Sequence, residues 1–86
     1  MMRVMANDYA SSNVRVNMVV PGLIDTPMNA PLATDEALRD LWTQPVPLKR
    51  MGTSDEIASA ILWLASDEAS YTTGAILVVD GGMSAV

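Results

Sequence analysis

Val14-Arg15-Val16-Asn17-Met18-Val19-Val20-Pro21-Gly22 is the stretch on which the reading of this chain turns. Its first seven residues form a strand by length and β-branched content, and Pro21-Gly22 ends it sharply. Proline has no N–H to give a ladder, and glycine relaxes the backbone into a turn. Upstream, Met2, Met5, Ala6 and Tyr9 recur at helical spacing, and Ser11-Ser12-Asn13 makes a polar stop before the strand. Downstream, Leu23 to Thr34 reads as a loop in which Pro27 and Pro31 follow Pro21. Asp35 to Thr43 reads as a short amphipathic helix with Thr34 as its cap, Asp35 and Glu36 at its positive end, and Leu38, Leu41 and Trp42 on its apolar stripe. Pro45 and Pro47 close it.

Thr53-Ser54-Asp55-Glu56 fits a capping box, and the helix it opens continues through Ile57, Ala58, Ile61, Leu62, Leu64 and Ala65. So wide a stripe predicts deep packing against something. Gly74 then leads into Ala75-Ile76-Leu77-Val78-Val79, a second strand stopped by Asp80-Gly81-Gly82. A continuous apolar run of this kind is expected where both faces of a parallel sheet are covered. A right-handed crossover through the helices sets the second strand parallel to the first. The order is α/β, but two parallel strands do not make a stable sheet alone, and the pattern reads as the edge of a larger domain.

Composition narrows the function classes. The chain has 86 residues, half of them hydrophobic, which excludes a disordered tail. A chain this short buries only roughly 60–65% of its unfolded surface, so marginal stability is expected. No apolar run reaches the roughly 20 residues of a membrane span, and the first residues lack the pattern of a signal peptide. There is no cysteine for a disulfide, thiol nucleophile or zinc–thiolate site, and no histidine for general-base chemistry. A cytoplasmic protein is expected from these features. The net charge is −5, and the basic residues are scattered apart from Lys49-Arg50, which argues against nucleic-acid binding.

Several segments together resemble one family. Asp8-Tyr9-Ala10, Val14-Arg15-Val16-Asn17 and Pro21-Gly22-Leu23-Ile24-Asp25-Thr26-Pro27-Met28 are similar to the "EYA…IRVN…PGxxxTxM" segment of short-chain dehydrogenases/reductases. Pro47 to Ala58 resembles "PLxRxGxPxEIA", and Leu64 to Gly74 followed by Val79-Asp80-Gly81-Gly82 resembles the family's "LASDEASYxTG…VDGG" ending. Any one piece is weak, and a bare Pro-Gly is most often only a turn; in order and correctly spaced, the pieces are specific. The resemblance implies the C-terminal part of a doubly wound, Rossmann-type parallel sheet, with these two strands the last of seven and NAD or NADP bound at the carboxyl ends of the strands. Residues 1–86 then form a C-terminal fragment of that domain, with 27–50 as its substrate lid. The resemblance further implies that Pro21, Gly22, Leu23, Ile24 and Thr26 form the cofactor-binding loop. The Ile24 backbone would hold the nicotinamide carboxamide, with Thr26 as a further polar contact, so that one ring face meets the substrate. In the lid, Met28, Leu32, Leu38, Leu41 and Trp42 either line an apolar pocket or pack the lid onto the body. Trp63 lies off the main stripe, and in the family that helix (54–65) and the last strand (75–80) form a subunit interface.

Family chemistry uses a Tyr-x-x-x-Lys pair, in which lysine lowers the tyrosine pKa for proton exchange while hydride passes to or from nicotinamide. Tyr9 is followed at that spacing by Asn13 and Tyr71 by Ala75, and the one lysine, Lys49, lies in the lid. No Gly-x-x-x-Gly-x-Gly turn is present to cradle a diphosphate. No catalytic residue and no metal ligand is assigned. Arg15, Asn17 and Asp80 are expected in structural roles, with Asp80-Gly81-Gly82 a turn that holds the tail near the cofactor loop. The expectation is a fragment of an NAD(P)-dependent oxidoreductase acting on a secondary alcohol or ketone, inactive alone, whose Tyr-Lys pair and glycine-rich loop lie upstream. The alternatives are a non-catalytic protein that pairs with full-length relatives, and a free-standing cofactor-binding module.

Overall fold

The computed structural model describes residues 1–85. Helix α1 (Met2–Tyr9) buries Met2 and Ala6 and runs into a 3-10 turn over Ala10–Ser12. Asn13 halts it at φ 58°, a left-handed conformation that asparagine tolerates better than most residues. Strand β1 is Met18–Pro21, shorter than the expected 14–20 and extended to the proline. From Val14 to Asn17 side-chain bonds are interleaved with main-chain ones: the Val14 N–H donates to the Tyr9 carbonyl (3.2 Å) and the Val16 carbonyl accepts from the Gly74 N–H (2.8 Å). The Val16 N–H donates to Thr73 Oγ1 (3.1 Å), Asn17 Nδ2 donates to the Thr72 carbonyl (3.0 Å), and Asn17 Oδ1 accepts from the Ala75 N–H (3.0 Å). One asparagine side chain thus stands in for two main-chain partners.

Between Pro21 and the last strand, the chain holds more structure than its sequence suggests. Ile24–Asp25 forms β2 and Gly52–Thr53 forms β3, and the two pair in parallel. Two-residue strands lie below the length at which composition gives a signal, so about two strands were expected where the described residues hold four. The expected loop also holds a 3-10 turn, Pro27–Asn29, and helix α2 (Ala30–Thr34). Helix α3 is Glu36–Thr43, and its cap is Asp35, whose Oδ1 accepts from the Leu38 N–H at 3.0 Å. Thr34 is not that cap; as the last residue of α2 it turns its hydroxyl back to the Ala30 and Pro31 carbonyls.

Helix α4 (Ser54–Ala65) begins on the expected capping box, both reciprocal bonds being present. Its far end is closed by Arg15: Nη1 donates to the Leu64 carbonyl (2.7 Å) and Nη2 to the Ser66 carbonyl (3.1 Å). These are the carbonyls that a helix leaves without internal partners. Strand β4 (Ile76–Val79) pairs in parallel with β1, Met18 opposite Ile76 and Pro21 opposite Val79. The expected parallel pairing holds, and α4 packs against both strands.

The core is small: Met2, Ala6, Leu32, Val46, Leu64 and Ala69 are its buried hydrophobic residues. Two expectations fail here. On α4, Leu64 is buried while Ile61, Leu62 and Trp63 stay exposed, and on β4 Ile76, Leu77 and Val78 are exposed rather than covered. Helix α4, though it packs on β4, leaves these strand residues at least a third exposed. The molecule is elongated, 51 × 24 × 21 Å, with a radius of gyration of 15.7 Å. A compact domain of this length has about 12 Å. Among the described residues no helix is long and apolar enough to cross a membrane.

Candidate functional site

The Pro-Gly loop leaves β1 at its carboxyl end. Pro21 is the last residue of the ladder, and the Gly22 N–H still donates to the Val79 carbonyl at 2.9 Å. A Cβ at Gly22 would lie 2.6 Å from Asp80 Cβ and 2.7 Å from its Cα, so only glycine fits. Close approach is what requires glycine here; the positive-φ glycines are Gly74, Gly81 and Gly82.

Asp80 in turn organises the end of the chain. Its Oδ1 accepts from the Gly82 N–H and its Oδ2 from the Ser84 N–H, both at 2.9 Å. Hydrogen bonding from Ser84, its hydroxyl first and then its N–H, holds the Asp80 carboxyl below the usual carboxylate range. The Gly81 carbonyl accepts from the Leu48 N–H at 3.1 Å. The turn therefore ties the tail to both the Pro-Gly loop and the segment leading to β3, which is the structural role expected of it.

Leu23 and Ile24 divide their backbone groups between two sides. The Leu23 carbonyl accepts from the Gly52 N–H at 2.9 Å, on the β3 side. The Ile24 carbonyl faces the other way and accepts from Asn29 Nδ2 at 2.7 Å. In an extended strand a residue's N–H and C=O point to the same edge, so the Ile24 amide also points away from β3. Thr26 is extended, half-buried, and makes no side-chain cap bond to the turn it precedes. Asn29, which the sequence reading passed over, fixes this edge, and its spacing of five residues from Ile24 gave no motif to find it by.

The lid residues separate. Leu32 is buried and Leu38 half-buried, on the helices α2 and α3, which pack together within the 27–50 segment. Met28 (91% exposed), Leu41 (64%) and Trp42 (56%) stand largely exposed. A cleft of about 90 Å³ lies on the β3 side of the loop, lined by Leu23, Ile24, Val46, Arg50, Gly52, Glu56 and Asp80 among others. That is well below the roughly 300 Å³ at which small-molecule pockets begin. At its rim Arg50 and Glu56 form a two-pronged ion pair, Nη1 to Oε1 at 2.9 Å and Nη2 to Oε2 at 3.0 Å. The Arg50 guanidinium and then the Thr53 N–H lower the Glu56 carboxyl to about 2, and the same pair raises Arg50.

As chemistry, the loop offers a backbone edge and a hydroxyl, the donor set that a planar carboxamide takes. Proton-relay groups are not assembled beside it. Tyr71 is fully exposed, Tyr9 is about half exposed on α1, and Lys49 donates to the Gln44 carbonyl. Among the described residues no cluster is placed to hold a metal ion.

Comparison with known proteins gives consistent results. A family model described as enoyl-(acyl carrier protein) reductase matches residues 1–84. The 3-oxoacyl-[acyl-carrier-protein] reductase of Chlamydia muridarum is 46% identical over 82 residues, which is 95% of this chain and 32% of that protein. A 4-hydroxyisoleucine dehydrogenase complexed with NADH superposes with a TM-score of 0.92 at 33% identity, over 99% of this chain and 35% of its own. An Agrobacterium tumefaciens protein described as a 2-deoxy-D-gluconate 3-dehydrogenase, with bound NADP, superposes with a TM-score of 0.89 at 38% identity, over 99% and 35%. The chain spans about a third of the length of the curated relatives it matches.

Proposed function

The chain belongs to the short-chain dehydrogenase/reductase family, and from that membership we propose that it is the C-terminal part of an NAD(P)-dependent oxidoreductase acting on a secondary alcohol or ketone. Residues 1–86 are read as one piece of the Rossmann-type domain. Within it, Pro21, Gly22, Leu23, Ile24 and Thr26 are the nicotinamide-contacting loop and residues 27–50 the substrate lid. The observation that carries this reading is the Ile24 edge: it stands at the carboxyl end of β1, is turned away from β3, and is fixed by Asn29.

The residues fit part of the cofactor. When bound, NAD(P) supplies or accepts the hydride. The Ile24 amide and carbonyl edge and the Thr26 hydroxyl hold its carboxamide and so choose which ring face is offered. Gly22 keeps the loop pressed to Asp80, leaving no slack between strand and contact. Met28, Leu41 and Trp42 present an apolar surface that a substrate's non-reacting part covers. The diphosphate cradle and the proton relay come from another segment, and the exposed faces of α4 and β4 are where covering elements or a second subunit dock. The names of the relatives support the reaction class, and the NADH and NADP in the two solved structures support the cofactor.

Complementation tests this. The chain is co-expressed with the N-terminal two-thirds of the Chlamydia muridarum reductase, and NADPH-dependent ketone reduction is followed. Reduction is expected from the pair and from neither piece alone, and Ile24→Pro, which removes the amide hydrogen, abolishes it. Steady NAD(P)H turnover by the purified chain alone would sink the reading, as would a folded pair that does not react.

A further inference from the structure

Strand β2 carries the loop edge on two residues, and its pairing partner among the described residues, β3, is equally short. Pairs this small do not hold themselves together in water. Something must fix β3, and the groups that do so sit on either side of Gly52. Glu56 straddles it: Oε1 accepts from Arg50 Nη1 (2.9 Å) and from the Thr53 N–H (3.0 Å), while Oε2 accepts from Arg50 Nη2 (3.0 Å). Arg50 Nη1 also donates to the Met51 carbonyl at 3.1 Å. Both chain neighbours of Gly52 are thus bound into one carboxylate–guanidinium unit, and that carboxylate belongs to the first turn of α4. The helix packs on β1 and β4, so this unit links the β2–β3 pair back to the main sheet.

Gly52 completes the contact. Its N–H donates to the Leu23 carbonyl at 2.9 Å, and a Cβ there would come within 3.0 Å of Ile24 Cδ1. Any drift of β3 therefore moves the residues that face the proposed cofactor. Exposed ion pairs contribute little to global stability, and at 52% and 45% side-chain exposure this one is such a pair. Its bidentate geometry gives directional control instead. We propose that Arg50 and Glu56 are positioning residues for the cofactor loop: their ion pair fixes β3 on β2 and thereby sets the direction of the Ile24 amide. The inference rests on reading that loop as the nicotinamide contact.

Amide hydrogen exchange on the labelled chain in its folded pair with the N-terminal two-thirds of the Chlamydia muridarum reductase, read residue by residue by NMR and without cofactor, tests it. Protection at the Gly52 amide is expected in the unaltered chain and falls about tenfold or more in Glu56→Gln and Arg50→Met, with partial recovery in Arg50→Lys. The Gly22 and Met18 amides, which donate to the Val79 and Ala75 carbonyls, keep their protection because the β1–β4 ladder is independent of the clasp. Equal loss at Gly22 and Met18 would mean general destabilisation and overturn the proposal. So would unchanged protection at Gly52 in both variants, or none there in the unaltered chain. Because no cofactor is present, this outcome is separate from the complementation result: a working clasp in a chain that fails complementation sinks the loop reading alone.

Discussion

At Gly22 and Glu56 single atoms decide what the loop does. Gly22 has no room for a methyl group, since Asp80 Cβ stands 2.6 Å from where it would be. Gly22→Ala must push β1 and the terminal turn apart, a clash of the overpacking kind that costs about 1–3 kcal/mol. In a chain this small that is a large share of the whole. Loss of the Gly22 and Ser84 amide protection, with α1 unaffected, is the expected signature; a variant as stable as the parent would show that a methyl group fits beside Asp80. Glu56 sets a pH dependence. Its carboxyl lies at about 2, down from an ordinary 4.5, because Arg50 and the Thr53 N–H favour the charged form. The folded chain holds this proton less tightly than the unfolded one, so the contribution is complete above pH 4.5 and is lost as the pH falls from there towards 2. The group is exposed, so salt weakens the effect. Carboxyl-carbon NMR titration is expected to place Glu56 near 2, moving up towards 4.5 in Arg50→Met; a value near 4.5 in the unaltered chain would remove the ion pair from the account.

Among the elements, periodicity and caps were legible and short-range substitutions were not. The wide stripe and the Thr53–Glu56 box placed α4 correctly, because capping is local chemistry written in four residues. Thr53→Ala is accordingly expected to cost about 1 kcal/mol, seen as a lower unfolding midpoint and as fraying confined to the first turn of α4. An unchanged midpoint would leave Glu56 as the sole cap. The strand ends escaped notice because Asn17 and Thr73 side chains take over ladder bonds, and nothing in a β-branched run announces which residue pairs by its side chain. Asp35 displaced Thr34 as cap because α2 occupies residues that read as loop, so the true boundary fell one residue later. The Pro-Gly loop was visible as a chain signal. Its second support, β3, was not, since it lies 28 residues away at Gly52 and pairs over only two residues.

For the molecule as a whole, exposure is the controlling quantity. The accessible surface is 6,151 Å². A folded monomer of this size exposes about 4,900 Å², so this chain leaves roughly 1,200 Å² more in water than such a monomer does. That excess is larger than the approximately 800 Å² one partner gives up in a standard interface. The exposed residues Met18, Val20, Ile61, Leu62, Trp63, Ile76, Leu77 and Val78 belong to the main sheet and the helix packed on it. They sit where the alternation and stripe of the sequence require cover, which the proposed larger domain would supply. A chain that leaves its best apolar strand wet has little cooperative core to lose. Its expected calorimetric trace is broad, with a low midpoint and strong binding of a hydrophobic dye. Mixing with the complementary N-terminal segment should sharpen the transition, raise its midpoint and abolish dye binding, because the same residues then pass out of water. A sharp, high-temperature transition of the chain alone, with no dye bound, would show that four short strands and their helices already suffice, and that the uncovered faces are an ordinary surface.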